Sequence, residues 1–225
     1  MQISVKKLKE TLESQKLKGL ALDIDETLSF TISFWVKELN IKFGNPESLT
    51  ASEIYNKYRL AQNVPYWQSE AALAWMERAR KSNEIQEALP LIENSNKIVQ
   101  KINKLIPIVA YITIRSESVI PGTKKWLIKH GFPEVPVIAK PDNLPYENGL
   151  AWKGDVLGFL YPQVAGIIDD TPTVVDNLPK NYNGFVFLYN NLNHQKKGKR
   201  IIPCPTWDSI LEEVKNNFSS FPKNN

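Results

Sequence analysis

Short runs of hydrophobic residues alternate along the chain with segments of helical periodicity. The runs are Gly19 to Ile24, Ile106 to Ile112, Val135 to Ile138, Val164 to Ile168 and Gly184 to Leu188. Continuous apolar runs of this length are typical of strands that are buried on both faces of a parallel sheet. Helical candidates lie between them, at Val119 to His130, Trp152 to Leu160 and Thr206 to Phe218. Because strands and helices alternate, the pattern predicts a doubly wound, Rossmann-like α/β sheet.

The stretch from Thr31 to Asn103 interrupts this alternation, because it has helical periodicity and almost nothing that resembles a strand. Thr50 and Glu53 form a capping box at the start of one of its helices. The pattern therefore predicts an α/β core domain made of residues 1–30 and 104–225, with an all-helical cap domain inserted at residues 31–103.

Composition narrows the kinds of site that the chain can hold. With 225 residues, of which 42% are hydrophobic and 23% charged, it has the composition of a globular protein. The single cysteine, Cys204, cannot close a disulfide within the chain or build a cysteine metal cage, and two histidines cannot form a three-histidine centre. A metal ion would therefore be held by oxygen, which favours Mg²⁺ or Ca²⁺.

Charge and hydropathy indicate a cytoplasmic protein without a membrane partner. The segment from Met1 to Leu17 reads as a short amphipathic helix rather than a secretory signal, and no apolar stretch of about 18 residues occurs. The net charge of +4 is too small to demand a nucleic acid polymer as partner. The basic run from Lys196 to Arg200 is interpreted as a solvated loop between two strands.

Carboxylates follow two of the predicted strands at the point where each strand ends. Asp23 and Asp25 follow the first run, and their spacing of two places both on one side of an extended chain. Asp169 and Asp170 end the run that begins at Val164. In an open parallel sheet these strand ends form one rim, where ligands bind. So much negative charge in one place requires a cation, and hard oxygen ligands select Mg²⁺.

A hydroxyl and two cationic side chains are expected at the same rim. Thr113 and Arg115 follow the second strand, and Lys153 opens the helix that leads into the Asp169 strand. Lys140 is a rival for the role of the ammonium group, but Lys153 is preferred because its connection to the acidic strand is short. Carboxylates, a hydroxyl and an ammonium group in this arrangement indicate phosphoryl chemistry.

Four motifs in order, DIDET, the strand end at Thr113, Lys153 and IIDDTP, resemble those of the haloacid dehalogenase (HAD) superfamily of aspartate-nucleophile phosphatases. The resemblance covers the whole α/β domain, and the helical insertion lies where one large subgroup of that superfamily carries its cap. The segments YITIRSESVIPGTKKWLIKHGFP and WKGDVL are in addition similar to bacterial phosphatases and to the 5′(3′)-deoxyribonucleotidase group.

The resemblance implies a role for each catalytic candidate. Asp23 would be the nucleophile that forms an aspartyl-phosphate. Asp25 would be the general acid for the leaving alcohol and then the base that activates water. Thr113 would hydrogen-bond a phosphoryl oxygen, and Lys153 would neutralise the nucleophile and the phosphate.

The resemblance also implies a set of ligands for Mg²⁺. These are a carboxylate oxygen of Asp23, the backbone carbonyl of Asp25 and the side chain of Asp170, with Asp169 acting through water. Which of Asp169 and Asp170 binds the metal directly stays open. Glu26 departs from the family pattern, since many of the phosphatases have glycine there. A larger side chain at this position bears on the choice of substrate.

Three further residues are candidates for substrate binding. Arg115 follows Thr113 and suits either a salt bridge or a contact with the substrate, while Tyr66 and Trp67 in the cap are candidates to stack on a flat substrate. The sequence thus predicts a Mg²⁺-dependent phosphatase acting on a small phosphorylated metabolite such as a nucleotide or sugar phosphate. The alternatives are a phosphotransferase or mutase and a non-catalytic binding module. The oligomeric state is left open.

Overall fold

The computed structural model of the chain describes residues 4–218, and in them six strands form one parallel sheet in the order β3-β2-β1-β4-β5-β6. The strands are β1 (Gly19–Leu22), β2 (Ile108–Ser116), β3 (Val137–Lys140), β4 (Val164–Asp169), β5 (Phe185–Tyr189) and β6 (Arg200–Cys204). The helices are α1 (Val5–Ser14), α2 (Thr31–Phe43), α3 (Ala51–Tyr58), α4 (Glu70–Arg80), α5 (Asn83–Ala88), α6 (Ser95–Asn103), α7 (Ile120–Lys129), α8 (Gly149–Leu160) and α9 (Trp207–Phe218). The predicted doubly wound α/β sheet is confirmed.

The first strand lies in the middle of the sheet and pairs with β2 on one side and β4 on the other. Its residues alternate between two hydrophobic cores. Leu20 and Leu22 pack into the core on one face, and Ala21 packs into the core on the other. Because the strand order reverses at β1, a crevice is expected at the carboxyl ends of β1 and its two neighbours.

Helices cover both faces of the sheet. On the face of Leu20, the core includes Ile102 of α6, Trp126 of α7 and Ile210 of α9. On the opposite face, it includes residues of α1 and α8. Burial on both faces explains why β1, β2 and β4 read as continuous apolar runs.

The segment from Thr31 to Asn103 is helical, and its helices divide between two packing environments. Helices α2, α3 and α4 share a hydrophobic core of their own, which includes Val36, Ile54 and Met76. Helix α6 packs instead into the core of the sheet, and α5 lies against α7, where the Asn83 side chain accepts a hydrogen bond from the Gly122 amide at 2.7 Å. The division into two domains stays a prediction; α6 packs on the sheet and α5 packs on α7.

Several element boundaries differ from the sequence prediction. Strand β2 begins later, at Ile108, and continues through Thr113 and Arg115 instead of ending before them. Strand β6 had no counterpart among the predicted apolar runs. It is an edge strand that pairs only with β5 in this sheet, four of its five residues are not fully buried, and it contains Pro203. The sequence of β6 therefore lacks the continuous apolar run of a strand that is buried on both faces, and the strand was not predicted.

The basic run lies where a loop was expected, except that its last residue, Arg200, begins β6. Lys196 pairs with Asp176 at 2.6 Å, and Lys199 donates to the Pro179 carbonyl. The amino-terminal helix spans Val5–Ser14. Residues 1–3 of its predicted range, and residues 219–225 of the predicted core domain, lie outside the described residues.

None of the helices between residues 4 and 218 is both long enough and apolar enough to cross a membrane.

Candidate active site

The chain leaves β1 in a tight turn that places Asp23 at the end of the strand. The Asp23 amide continues the pairing with β4 by donating to the Ile168 carbonyl at 2.9 Å. The turn passes through Glu26, whose φ of 56° lies in the left-handed region that side-chain-bearing residues seldom adopt. A carboxylate oxygen of Glu26 accepts a hydrogen bond at 2.6 Å from the Ile32 amide in the first turn of α2. Glu26 therefore joins the turn after β1 to the first helix of the inserted segment.

Lys153 lies between two of the predicted carboxylates. Its Nζ is 2.5 Å from Asp23 Oδ1 and 2.5 Å from Asp169 Oδ2, and all three side chains are buried. Helix α8 can bring Lys153 this close because Gly154 packs against the backbone of Asn177. A Cβ at Gly154 would stand 2.1 Å from the Asn177 carbonyl oxygen. The preference for Lys153 over Lys140 agrees with this placement, since the Lys140 ammonium donates instead to the backbone carbonyls of Pro141 and Leu144.

Three carboxylates converge on one point beside Lys153. Asp23, Asp169 and Asp170 each offer an oxygen, and these oxygens all lie within 4.8 Å of one another. The Thr27 hydroxyl lies between two of them, 3.3 Å from Asp170 Oδ1 and 3.5 Å from Asp23 Oδ2, and it accepts a hydrogen bond from the Asp170 amide. The group is suited to hold a metal ion through hard oxygen ligands.

Burial and mutual repulsion raise the pKa values of two carboxylates of this cluster. Burial raises the pKa of Asp23 to about 7; Lys153 acts against this rise, and the charges of Asp169 and Asp25 add to it. Burial also raises the pKa of Asp170 well above its ordinary value, with Asp169 and Asp23 contributing. One ammonium group therefore does not compensate the buried negative charge of three carboxylates.

The Asp25 side chain is not part of the carboxylate cluster, because Arg115 holds it. Arg115 donates from Nε to Asp25 Oδ2 at 2.9 Å and from Nη2 to Oδ1 at 2.7 Å, and the Thr31 hydroxyl donates at 2.6 Å. Burial alone would raise the pKa of Asp25, but Arg115 and the hydrogen bond from Thr31 outweigh it, so that the pKa lies below its ordinary value. Asp25 is therefore ionised at neutral pH.

Thr113 and Arg115 lie on β2, next to β1. In the register Tyr111 pairs with Leu22, so Thr113 stands two residues further towards the carboxyl end. Thr113 is buried and its hydroxyl accepts a hydrogen bond from the Arg115 amide at 3.2 Å. Of the two roles considered for Arg115, the structure shows the salt bridge, with Asp25 as its partner.

The predicted stacking of Trp67 on a substrate does not fit the structure. Trp67 has no exposed surface, packs in the core of α2 to α4 and donates from Nε1 to the Gly44 carbonyl at 2.8 Å. Tyr66 packs edge-on against Trp67 and its hydroxyl donates to the Asn45 side chain at 3.0 Å. The prediction was wrong for Trp67 because a small helical module needs its largest aromatic side chains for its own core.

One other tyrosine, which the sequence analysis had not singled out for the site, lies at the carboxylates. The Tyr55 hydroxyl, from α3, donates to Asp170 Oδ2 at 3.3 Å. Thr27 was missed as well, although its place four residues after Asp23 could have indicated it. For Tyr55 the sequence contains no comparable signal.

Comparison with known proteins relates the chain to solved structures only. No family model and no curated protein sequence matches it. A dehalogenase solved as an intermediate complex superimposes with a TM-score of 0.52 and 13% identity, covering 91% of this chain and 98% of that chain.

Two other solved structures are similar over most of their length. A HAD family hydrolase from Deinococcus radiodurans R1, solved with phosphate and sodium, has a TM-score of 0.45 and 13% identity over 88% of each chain. A cytosolic 5′-nucleotidase bound to cytidine has a TM-score of 0.38 and 13% identity over 96% of this chain and 91% of its own. The likeness to the dehalogenase, together with the parallel sheet described above, shows that the chain shares the α/β fold of that protein.

Proposed function

We propose that the protein is a Mg²⁺-dependent phosphatase that hydrolyses a small phosphate monoester through an aspartyl-phosphate on Asp23. The observation that carries the proposal is the position of Lys153, within 2.5 Å of both Asp23 and Asp169, beside a third carboxylate at Asp170. A buried nucleophile paired with an ammonium group is suited to attack a dianionic group, whose charge would otherwise repel it.

The donor set fits Mg²⁺. Asp23, Asp169 and Asp170 supply hard carboxylate oxygens, and nitrogen or sulfur ligands are absent from this group. When bound, the ion would balance the buried negative charge and polarise a phosphoryl oxygen. Asp23 and Asp170 are the proposed direct ligands, with Asp169 held by Lys153 and by the Thr171 amide, which donates to its Oδ1 at 2.8 Å. The backbone carbonyl of Asp25 completes the proposed protein ligands.

In the first step an Asp23 carboxylate oxygen attacks phosphorus and the bond from phosphorus to the leaving oxygen breaks. Lys153 neutralises charge on Asp23 and the phosphoryl group, and Thr113 is the proposed hydrogen-bond donor to a phosphoryl oxygen. The leaving oxygen departs as an alcohol when it takes a proton from Asp25. Because Arg115 lowers the pKa of Asp25, the protonated fraction is small at neutral pH, and this step is expected to favour mildly acidic conditions.

In the second step a water molecule attacks the aspartyl-phosphate. Asp25 accepts the proton of that water, inorganic phosphate is released and the Asp23 carboxylate is restored. An ionised Asp25 is suited to this half of the reaction, and its two hydrogen bonds from Arg115 fix its orientation. A hydroxyl other than water at the same position would make the protein a phosphotransferase, which is the alternative that the site leaves open.

The helical segment supports a small substrate. Tyr55 from α3 reaches Asp170. This side chain restricts the room above the carboxylates, so a small metabolite fits better than a phosphorylated polymer.

The test is release of inorganic phosphate from a panel of nucleoside monophosphates and sugar phosphates, with Mg²⁺ and with a chelator. We expect metal-dependent release that Asp23→Asn abolishes and that Asp155→Asn, an exposed carboxylate on the same helix as Lys153, leaves intact. Release that survives Asp23→Asn would refute the nucleophile. Disappearance of substrate without inorganic phosphate, with transfer to an added alcohol, would favour the phosphotransferase.

Metal binding is tested separately by calorimetric titration with Mg²⁺. Asp170→Asn is expected to weaken binding by about tenfold or more, because it removes a proposed direct ligand, whereas Asp155→Asn is expected to have no effect. Equal binding by both variants would exclude Asp170 as a ligand.

A further inference from the structure

Arg59 ends α3 in an unusual backbone conformation, with φ of 66° and ψ of −48°. A residue with a side chain seldom adopts a positive φ, and such outliers occur preferentially where a side chain is held for a function. The Arg59 amide donates to the Tyr55 carbonyl at 2.9 Å, which closes the end of the helix in this geometry.

The guanidinium of Arg59 lies over the ring of Tyr55, with its Cζ 5.4 Å from the ring centroid. The hydroxyl of the same tyrosine donates to Asp170 at 3.3 Å. A single aromatic ring therefore separates this cation from the carboxylate cluster. The arginine is exposed, so its guanidinium stands at the solvent side of the site.

Arg59 makes no ion pair within 4.0 Å in the part of the chain that the structure describes. Arg115, the arginine that touches the site residue Asp25, is by contrast paired with it. A guanidinium presents a planar fork of N–H donors that matches a carboxylate or a phosphate, and stacking on a ring pre-organises it for such a partner.

We propose that Arg59 is a specificity-determining residue that binds a second anionic group on the organic part of the substrate. The inference rests on the proposed phosphatase function. The phosphoryl group to be transferred lies at Asp23 and Lys153, and a carboxylate or second phosphate on the leaving alcohol meets the Arg59 fork above Tyr55. A substrate whose organic part is neutral gains nothing from this contact.

The experiment compares matched pairs of substrates that differ in the second anionic group. Glycerol 3-phosphate and 3-phosphoglycerate differ by a carboxylate, and fructose 6-phosphate and fructose 1,6-bisphosphate differ by a phosphate. The kcat and KM of each are measured for the wild type, Arg59→Gly, Arg59→Lys and Arg78→Ala. Arg78 is an exposed arginine on α4 and controls for the loss of one positive charge. Glycine suits a positive φ, so Arg59→Gly retains the local backbone.

For the doubly anionic member of one pair, we expect Arg59→Gly to lower kcat/KM about tenfold to a hundredfold. The loss should appear as a higher KM, because a hydrogen bond between charged groups contributes a binding free energy of that size. The neutral member of the pair and the Arg78→Ala variant should change less than about twofold. Arg59→Lys should retain part of the preference. The pair that responds identifies the second group as carboxylate or phosphate.

The inference is overturned if Arg59→Gly changes both members of each pair equally or changes neither. Binding to Asp23→Asn in Mg²⁺, with and without Arg59→Gly, tests the same contact without turnover. If no monoester is hydrolysed but Arg59→Gly still weakens binding of the doubly anionic member selectively, the proposed function fails and the role of Arg59 stands. If hydrolysis proceeds and the preference is unchanged, the role of Arg59 fails alone.

Discussion

Arg115 binds the Asp25 carboxylate with two parallel hydrogen bonds, of 2.9 Å from Nε and 2.7 Å from Nη2. The arginine is almost completely buried, and its guanidinium also donates to Ser29 and Thr123. Arg115, which lies two positions beyond Thr113 on β2, therefore keeps Asp25 ionised, although Asp25 is the proposed acid and base. This pair fixes both the orientation and the proton affinity of Asp25.

Replacing Arg115 is expected to change the pH dependence of turnover. In Arg115→Met the pKa of Asp25 rises because its cation is lost, so the basic limb of the kcat/KM profile moves to higher pH. Arg115→Lys keeps the charge and should show a smaller displacement. Profiles that coincide for all three proteins would show that Asp25 does not set this limb.

The same replacement is expected to lower stability. The arginine is buried but the Asp25 side chain is 30% exposed, so breaking the pair is expected to cost about 2 kcal/mol rather than the larger loss at fully buried pairs. Urea unfolding of Arg115→Met against the wild type at neutral pH measures this. An unchanged unfolding midpoint would contradict it.

Asp23 makes the stability of the metal-free protein depend on pH. Its pKa is raised from 3.8 to about 7, so the folded state binds this proton more tightly than the unfolded state. The resulting stabilisation is present below the unfolded pKa and is lost as the pH rises through about 7. With a chelator present, Asp23→Asn is therefore expected to be more stable than the wild type at pH 8, by on the order of 1–3 kcal/mol.

The advantage of Asp23→Asn should decrease on acidification and again when Mg²⁺ is added to the wild type at pH 8, because the cation compensates the carboxylate. Thermal unfolding at several pH values with Mg²⁺ or a chelator measures both effects. Asp155→Asn is the matched control and should follow the wild type. A difference between Asp23→Asn and wild type that is independent of pH would refute the raised pKa.

Glu26 is expected to stabilise the start of α2 through its side chain. Glu26→Ala removes the hydrogen bond to the Ile32 amide and should cost about 1 kcal/mol, the usual effect of losing a helix cap. Glu26→Gln keeps an acceptor and should remain close to the wild type. Because φ at this position is 56°, Glu26→Gly relieves backbone strain and should be more stable than Glu26→Ala. Chemical denaturation measures the free energy of unfolding of each variant. A Glu26→Ala variant that is more stable than Glu26→Gly would contradict this prediction.

Gly154 is expected to be required for the position of Lys153. In an ordinary helix interior alanine is more stable than glycine by about 1 kcal/mol. At Gly154, however, the added Cβ would meet the Asn177 backbone, so Gly154→Ala should destabilise the protein by about 1–3 kcal/mol and lower kcat. Asp155→Ala, on the exposed side of the same helix, should do neither. The free energy of unfolding and kcat are measured for both variants. A Gly154→Ala variant that is more stable than the wild type and has a normal kcat would contradict the prediction.

The acidic strand ends could be predicted because local patterns encode them. An apolar run followed by Asp23 and Asp25, and a second run ending at Asp169 and Asp170, require only that neighbouring parallel strands end at one edge. Strand β6 could not be predicted in this way, because an edge strand with partly exposed residues lacks a continuous apolar run. Its existence depends on β5 offering a free edge, which is a property of the assembled sheet.

The sequence by itself determined the parallel sheet, the helical insertion and the collection of carboxylates at one edge, because hydrophobic periodicity and strand polarity are local properties. Only the tertiary structure decided the partners of individual side chains. Asp25 turns to Arg115 rather than joining Asp23 at the cluster, and Tyr55 rather than Trp67 approaches the carboxylates. These choices follow from packing between segments that are far apart along the chain. Asp25 and Arg115, for example, are separated by 90 residues. Local residue spacing does not encode which of two such distant side chains meet.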